Sequence, residues 1–405
     1  MPIFLRILTA ATLAMLFTAA ADATQHLVRP GESWQSLDAR LKPGDEIILM
    51  PGLHRPATLQ AAQGTAARPI VIRGLDPDHP STIQAEGYGI RLLRPGHVRI
   101  TDLIVTGAKI HGVFLEGDAE VTGGADEEDA EPREPPGHAT LTNITVSDTG
   151  PKGLRHAIHI RQLETVRIEN CRVEGWAGSA VEIVACNDVT IEACRFAGKD
   201  EYGQTTGVRI RAGSDRVNIN HCRFIDAGDQ GVCLGGASDL EEFRPQPPAE
   251  AKPASLYEAS RVRVMRCTFQ NGLCALAFVN CERCTVRNCT ILRPRRAVVS
   301  IRHEQEDQRF GPTANCVFGS NLITWQAGDL TTLTHLAGGA GGAGGDGITL
   351  EDNLWWTPDF DEQKEQLGPF PGTEAFPQVT DVDPKLDEQL KPTAKEAQLY
   401  GADPP

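Results

Sequence analysis

Apolar side chains in this chain recur in an octet, at its first, third, sixth and eighth positions. It reads VRITDLIV at residue 98, ATLTNITV at 139, VRIENCRV at 166, VTIEACRF at 189 and VNINHCRF at 217. It continues as VRVMRCTF at 262, CTVRNCTI at 284, CVFGSNLI at 316 and ITLEDNLW at 348. Positions one and three alternate as a strand does, and six and eight alternate in the opposite phase. A tight bend between positions four and six turns all four to one side. Successive octets start 22 to 45 residues apart. The shortest spacings suit one coil of three short strands, and the longer ones suit coils with looped-out insertions.

A third strand precedes many octets: HGVFLE at 111, HAIHIR at 156, SAVEIV at 179, TGVRIR at 206, QGVCLG at 230, CALAFV at 274 and AVVSIR at 297. Its third and fifth residues are mostly apolar and are expected to face the core. Its fourth and sixth are expected to face solvent. Period-two strands stacked coil on coil, about 4.8 Å apart, build parallel sheets along an axis. The expectation is an all-β fold, a single right-handed parallel β-helix with three parallel sheets. No regular hairpin pairs meet at tight Asn-Gly turns, which argues against a sandwich or a propeller.

The repeat divides the chain. Residues 1–23 carry Arg6, an apolar run from Ile7 to Ala21 and a small-residue Ala21-Asp22-Ala23 site, the layout of a cleavable signal peptide. Residues 24–356 are read as the β-helix, with the region from Gln25 to Ile90 closing one end and PIVIRG at 69 as an early strand. Residues 357–405 are read as an acidic, Pro-rich tail that caps the last coil, because an uncovered strand edge invites association. Glu116–Pro136 reads as an acidic exposed loop, Leu240–Tyr257 as a Pro-rich insertion and Gly338–Gly347 as a flexible Gly/Ala run. The expected location is secreted or periplasmic, with no membrane span.

Cysteine and charge narrow the chemistry. Five of the 11 cysteines hold position six of consecutive octets, Cys171, Cys194, Cys222, Cys267 and Cys289. Cys284 and Cys316 share position one of adjacent octets. Small apolar residues stacked in a narrow core explain both columns better than a disulfide framework. Cys281-Glu-Arg-Cys284 has CxxC spacing but no second half-site in the sequence. The net charge of −15 argues against nucleic acid as a partner. The expected partner is an anionic polysaccharide or oligosaccharide held by a local basic patch, and the protein is expected to be a monomer.

The segment PGDEIILMPGLHRP at 43, with ARPIVIRG at 67 and HVRITDLIVTG at 97, resembles the entry coils of pectate-lyase-like β-helices. It is most similar in pattern to the family of chondroitinase B and alginate lyases. The pattern AGDQGVCLGG, EFRP, YEAS and RPRRAVVSIRHEQ resembles exported bacterial β-helix repeat proteins. Position six of the octet matches the inward Asn ladder of that superfamily, retained here as Asn321 and Asn353. The lyase resemblance implies a catalytic Arg where GVRIRAG places Arg211. It also implies a Lys base one coil earlier, where this chain has Val184 or Ala185, and a calcium-binding carboxylate pair of which only Glu182 is present. Calcium is the one cofactor the resemblance suggests.

Read from the strands alone, the third strand presents two outward columns. One runs Phe114, His159, Glu182, Arg209, Cys233, Ala277, Ser300, and the other Glu116, Arg161, Val184, Arg211, Gly235, Val279, Arg302. β-Elimination from a uronate requires its carboxylate neutralised, the neighbouring proton removed and the leaving oxygen protonated. Arg211 and Arg209 are the candidates to bind the carboxylate, and His159 the base. Arg161, Glu182, Arg302 and Arg244 are the candidate substrate-binding residues. A row of ion pairs among His159, Glu182 and Arg209 is the structural alternative, and an Arg244–Glu258 pair that pins the insertion is another. Inverting hydrolysis needs two carboxylates across a cleft, and the outward columns offer only Glu182 and Glu116. Loop acids Asp200, Glu201, Asp226 and Asp229 keep hydrolysis open. A non-catalytic carbohydrate-binding scaffold is the remaining reading.

Overall fold

The computed structural model describes residues 23–60, 62–117, 136–326, 328–338, 347–358, 367 and 382–402. The proposed signal segment, most of the acidic loop and most of the Gly/Ala run lie outside the described residues. Strands from successive coils line up into three sheets of 14, 11 and 10 strands, and every ladder between them is parallel. We call them sheets one, two and three. Octet positions one to four lie in sheet one, six to eight in sheet two, and the strand that precedes the octet in sheet three. Coil stacking begins at Gln25–Val28, which pairs with Glu46–Leu49. The region before Ile90 therefore forms coils of its own, with a short 3-10 helix at Gln35–Arg40 beside them.

The bend inside the octet is a single left-handed residue. Position five is Asp102, Asn143, Asn170, Ala193, His221, Arg266, Asn288, Ser320 and Asp352, and each has φ between 47° and 56°. One residue in that conformation reverses the pleat phase, so positions four and six face opposite ways without a longer loop. It costs a non-glycine residue roughly 1–2 kcal/mol. The cost is offset by backbone bonds that continue coil to coil across the corner, such as Asn170 N–H to Glu192 O at 3.0 Å.

The core is a narrow column of stacked equivalents. Phe196, Phe224 and Phe269, all at position eight, stack with ring centroids 5.0 and 4.8 Å apart. Position six forms a polar ladder inside this apolar tube. Asn321 Oδ1 accepts the Cys289 amide at 2.9 Å, and its Nδ2 donates to Val286 O at 3.2 Å. Cys194 does the same with sulfur: it accepts the Cys171 amide at 3.4 Å and donates to Ile168 O at 3.5 Å. All 11 cysteines are free and buried. Burial pushes the Cys186 thiol up to about 12, so it is an inert core group.

At the far end the tail meets the last coils. Leu333 N–H donates to Leu367 O at 3.2 Å, and Ala402 N–H donates to Thr290 Oγ1 at 2.9 Å. No helix among the described residues is long and apolar enough to cross a membrane.

The ladder generates a stability prediction. Asn321→Leu strands the Cys289 amide and the Val286 carbonyl, at about 1–3 kcal/mol for each unsatisfied group. Asn321→Cys restores both contacts in weaker form. Urea-unfolding midpoints should therefore rank wild type, then N321C, then N321L. A leucine variant as stable as the cysteine variant would show that the column is held by packing alone.

Candidate functional site

The outward face of sheet three gathers partly and fully buried charge, and its third column escaped the sequence pattern. The first residue of each strand also points outward, because the second is small and turns into the core. Ala157 and Ala180 at that second position are core residues, and a Cβ on Gly112 would stand 2.5 Å from Val146 Cγ1. This column brings His111, His156, Ser179 and Thr206 beside Phe114, His159, Glu182 and Arg209. The Gly or Ala at position two of six of the seven copies, with Val298 in the last, was the readable signal.

Three imidazoles meet here, and their protons can be assigned. His111 Nδ1 accepts the His156 amide at 3.2 Å, and His156 Nδ1 accepts the Ser179 amide at 3.0 Å. Each ring therefore carries its proton on Nε2 when neutral. His111 Nε2 then donates to His159 Nδ1 at 3.2 Å, which leaves His159 also protonated on Nε2. That Nε2 is buried and has no partner. Gly178 makes room for the arrangement, since a Cβ there would lie 2.9 Å from the His156 ring. Burial holds His156 below its ordinary value and His159 well below it, and depresses His111 to about 3.

Glu182 is the buried hub. Only 2% of it is exposed. Ser179 Oγ donates to Glu182 Oε2 at 2.6 Å, and Arg211 Nε donates to Glu182 Oε1 at 2.7 Å. Burial alone raises the Glu182 carboxyl, but the charges of His156, Arg209 and Arg211 outweigh it and hold the group below the usual range. With His156 neutral near pH 7, the two guanidiniums carry that effect. Arg211 is further engaged by Ser238 Oγ at 3.2 Å and by the Glu242 carboxylate. The ion pair foreseen as a surface row of His159, Glu182 and Arg209 thus runs diagonally, from Glu182 to Arg211, and is buried.

The other guanidiniums keep more of their donors unused. Arg209 reaches Thr206 Oγ1 at 3.5 Å. Arg161 lies 3.9 Å from Glu116, and Arg302 lies 3.2 Å from Glu304 and 3.6 Å from Cys233 Sγ. The Nε of each of the three is buried without a partner. Strand register sets Arg209 two coils from Arg161 and three from Arg302, about 10 and 14 Å along the axis. Between Arg209 and Arg302 the floor is lined by small side chains, Cys233, Ala277 and Val279, with Gly235 at its edge. A Cβ at Gly235 would stand 1.7 Å from Val279 O. Contrary to the expected solvent exposure, much of this face is buried, including Val184, Cys233, Ala277 and Ser300.

Two insertions wall one edge. Phe243 and Phe310 pack over Val184, Ala185 and Ala212. Buried Glu258 pins the first insertion, accepting the Ala212 and Ser238 amides at 2.9 and 2.8 Å and Ser238 Oγ at 2.7 Å. Arg244 donates to the carbonyls of Glu241 and Phe243, both at 2.8 Å. It lines a separate depression with Gln162, Glu164 and Asn187, beyond the strand ends. The loop is thus pinned by Glu258 through amides and a hydroxyl, and Arg244 sits at the rim.

Calcium does not fit this face. A calcium site needs six to eight oxygens, whereas buried Glu182 has its oxygens on Ser179 and Arg211, with Arg209 nearby, and Glu116 and Glu304 lie against Arg91 and Arg302.

A parallel β-helix with one walled, arginine-rich face defines the class of this protein. A model described as a right handed beta helix region matches residues 81–244 and 134–311. Together these span more than half of the chain, which belongs to that family. No curated protein matches it. Among solved structures it is similar to a tailspike protein of Acinetobacter baumannii bacteriophage Fri1, a capsular polysaccharide depolymerase. The TM-score is 0.51 at 13% identity, over 90% of this chain and 62% of that one. It is also similar to the A-module of an Azotobacter vinelandii mannuronan C-5 epimerase, with a TM-score of 0.50 at 13% identity over 83% and 89% of the two chains. An alginate lyase from Paenibacillus sp. str. FPU-7 gives 0.48 at 15% identity over 81% and 98%. At these identities the likeness is one of fold.

The buried charges fix a pH dependence. The imidazoles and Glu182 all have folded values below their unfolded ones, so the unfolded chain binds more protons on acidification. The histidine contribution is intact above about pH 6.5 and is lost as pH falls towards the depressed folded values. The Glu182 contribution is present above about pH 4.5 and fades below it. Urea midpoints should drop continuously from about pH 7 to about pH 4, with a shallower slope in H159Q. An unchanged slope in that variant would mean that His159 is not held neutral.

Proposed function

We propose that this chain acts on a uronate-containing polysaccharide laid along sheet three, and that its chemistry is β-elimination. The observation that carries the reading is a row of guanidiniums on one face, Arg161, Arg209 and Arg302, which the protein's own groups engage only in part. A carboxylate- and hydroxyl-rich chain supplies partners for their remaining terminal donors. Their spread over several coils suits an extended polymer. The similar phage depolymerase and C-5 epimerase, named for work on polysaccharides, agree with it.

Arg209 is the carboxylate-binding group, because its guanidinium is the least engaged by the protein's own acids. Neutralising the carboxylate stabilises the negative charge that develops when the adjacent proton leaves. Arg211 is a positioning residue that holds Glu182 between the histidines and Arg209. The departing proton needs an acceptor, and His159 Nε2 can take it only once the His111 proton has moved to Nδ1, at the expense of the bond to the His156 amide. The imidazolium that results then returns a proton to the leaving oxygen.

One observation favours a second reading, binding without cleavage. Each of the three imidazoles has its Nδ1 lone pair occupied, and Val184 or Ala185 stands where the lyase pattern carries lysine. The two readings separate in one screen against pectate, alginate and glycosaminoglycans, with and without calcium. Ultraviolet absorbance from an unsaturated product establishes elimination. New reducing ends without it mean hydrolysis, and binding without products means a scaffold. If elimination is observed, R209A should lower turnover by about 100-fold or more, and R244A should leave it near wild type. Full activity in R209A would reject the assignment.

A further inference from the structure

The CxxC at Cys281 and Cys284 has its second half on the next coil. Glu282 bridges Ala314, and Thr285 pairs with Val317, so Thr313-Ala-Asn-Cys316 stacks on Cys281-Glu-Arg-Cys284 position for position. The amides of Ala314 and Val317 lock this register by donating to the carbonyls of Cys281 and Cys284 at 2.9 and 2.8 Å. Four inward side chains form a two-by-two array, three of them cysteines.

Their ligand atoms converge. The sulfurs of Cys281, Cys284 and Cys316 all lie within 4.8 Å of one another, and all three residues are buried. Cys281 Sγ is 4.0 Å from Cys316 Sγ and 3.8 Å from Thr313 Oγ1. This differs from the position-six ladder, where each coil adds one thiol and each thiol bonds to backbone on two sides. The Cys281 sulfur turns instead to Thr313 Oγ1 and the other two sulfurs.

We propose that Cys281, Cys284 and Cys316 form a binding site for a thiophilic d10 cation, with monovalent copper as the best fit. Metal–sulfur bonds of about 2.3 Å place three sulfurs about 4.0 Å apart around a trigonal ion, and about 3.8 Å apart around a tetrahedral one. The Cys281–Cys316 separation of 4.0 Å is already of that size. The set holds no imidazole or carboxylate, and soft sulfur donors select copper(I). Binding converts the coordinating thiols to thiolates and releases their protons to solvent. The three cysteines are at most 1% exposed, so the ion enters as the coils close.

The test refolds the full-length chain anaerobically with equimolar copper(I) and a reductant, then desalts it against a copper(I) chelator. One copper per chain should remain, with thiolate-to-copper charge-transfer absorption. C281S, C284S and C316S should each lose retention by about 10-fold or more, while the ladder variants C194S and C267S keep it. X-ray absorption on the wild type, which needs no variant to fold, should show three sulfur neighbours. Sub-stoichiometric copper, equal loss in the ladder variants, nitrogen or oxygen neighbours, or a Cys281–Cys316 disulfide in the isolated protein would each overturn the proposal.

Discussion

The parallel hydrogen-bonded register between coils is the constraint from which everything else follows. Each strand pairs only with its equivalents one coil above and below, so a residue's neighbours are its counterparts in adjacent repeats. Left-handed corners keep the register from drifting, because every octet turns at the same position. A side chain's environment is then set by its column. Inward columns become stacks of aromatics, aliphatics or hydrogen-bonding ladders. Outward columns become rows of charge in which like neighbours must be separated or compensated.

The charged face shows how that compensation works. Arg209 and Arg211 leave the same strand on the same side, and His159 and Glu182 stack beside Arg209. Glu182 is kept ionised in a nearly closed environment by these guanidiniums, and breaking such a pair by removing one partner typically costs about 3–5 kcal/mol. Glu242 and Ser238 arrive from the insertion to satisfy what remains of Arg211. One arginine is therefore spent on architecture and its neighbour is left with unused donors. The helix supplies the spacing, and the inserted loop decides which arginine stays available.

How much of this was legible in the sequence depends on whether the information was periodic. The octet gave the sheets, the inward columns and the corner, since Cys171, Cys194 and Cys222 recur at one position. The outward columns through His159, Glu182 and Arg209 were readable in the same way. His111 and His156 were missed because strict alternation places the first residue of HAIHIR inward, and only the small second residue reverses it. The engagement of Arg211 was not readable at all. Its partners Ser238 and Glu242 lie in a segment with no repeat, so nothing in the spacing aligns them. Cys316 was placed in the same column as Cys284, but Cys281 was read along the chain and not across the coils.

The coil also sets the unit in which such a molecule can change length. From Val166 to Asp188 the chain makes one circuit with no insertion, and its residues touch their equivalents above and below. Loss or duplication of such a circuit moves all later residues along the axis by one strand spacing and re-forms the same neighbour pairs. A shorter deletion instead turns inward columns outward. Extension along the axis therefore comes in whole turns, and a binding face gains or loses reach in the same steps.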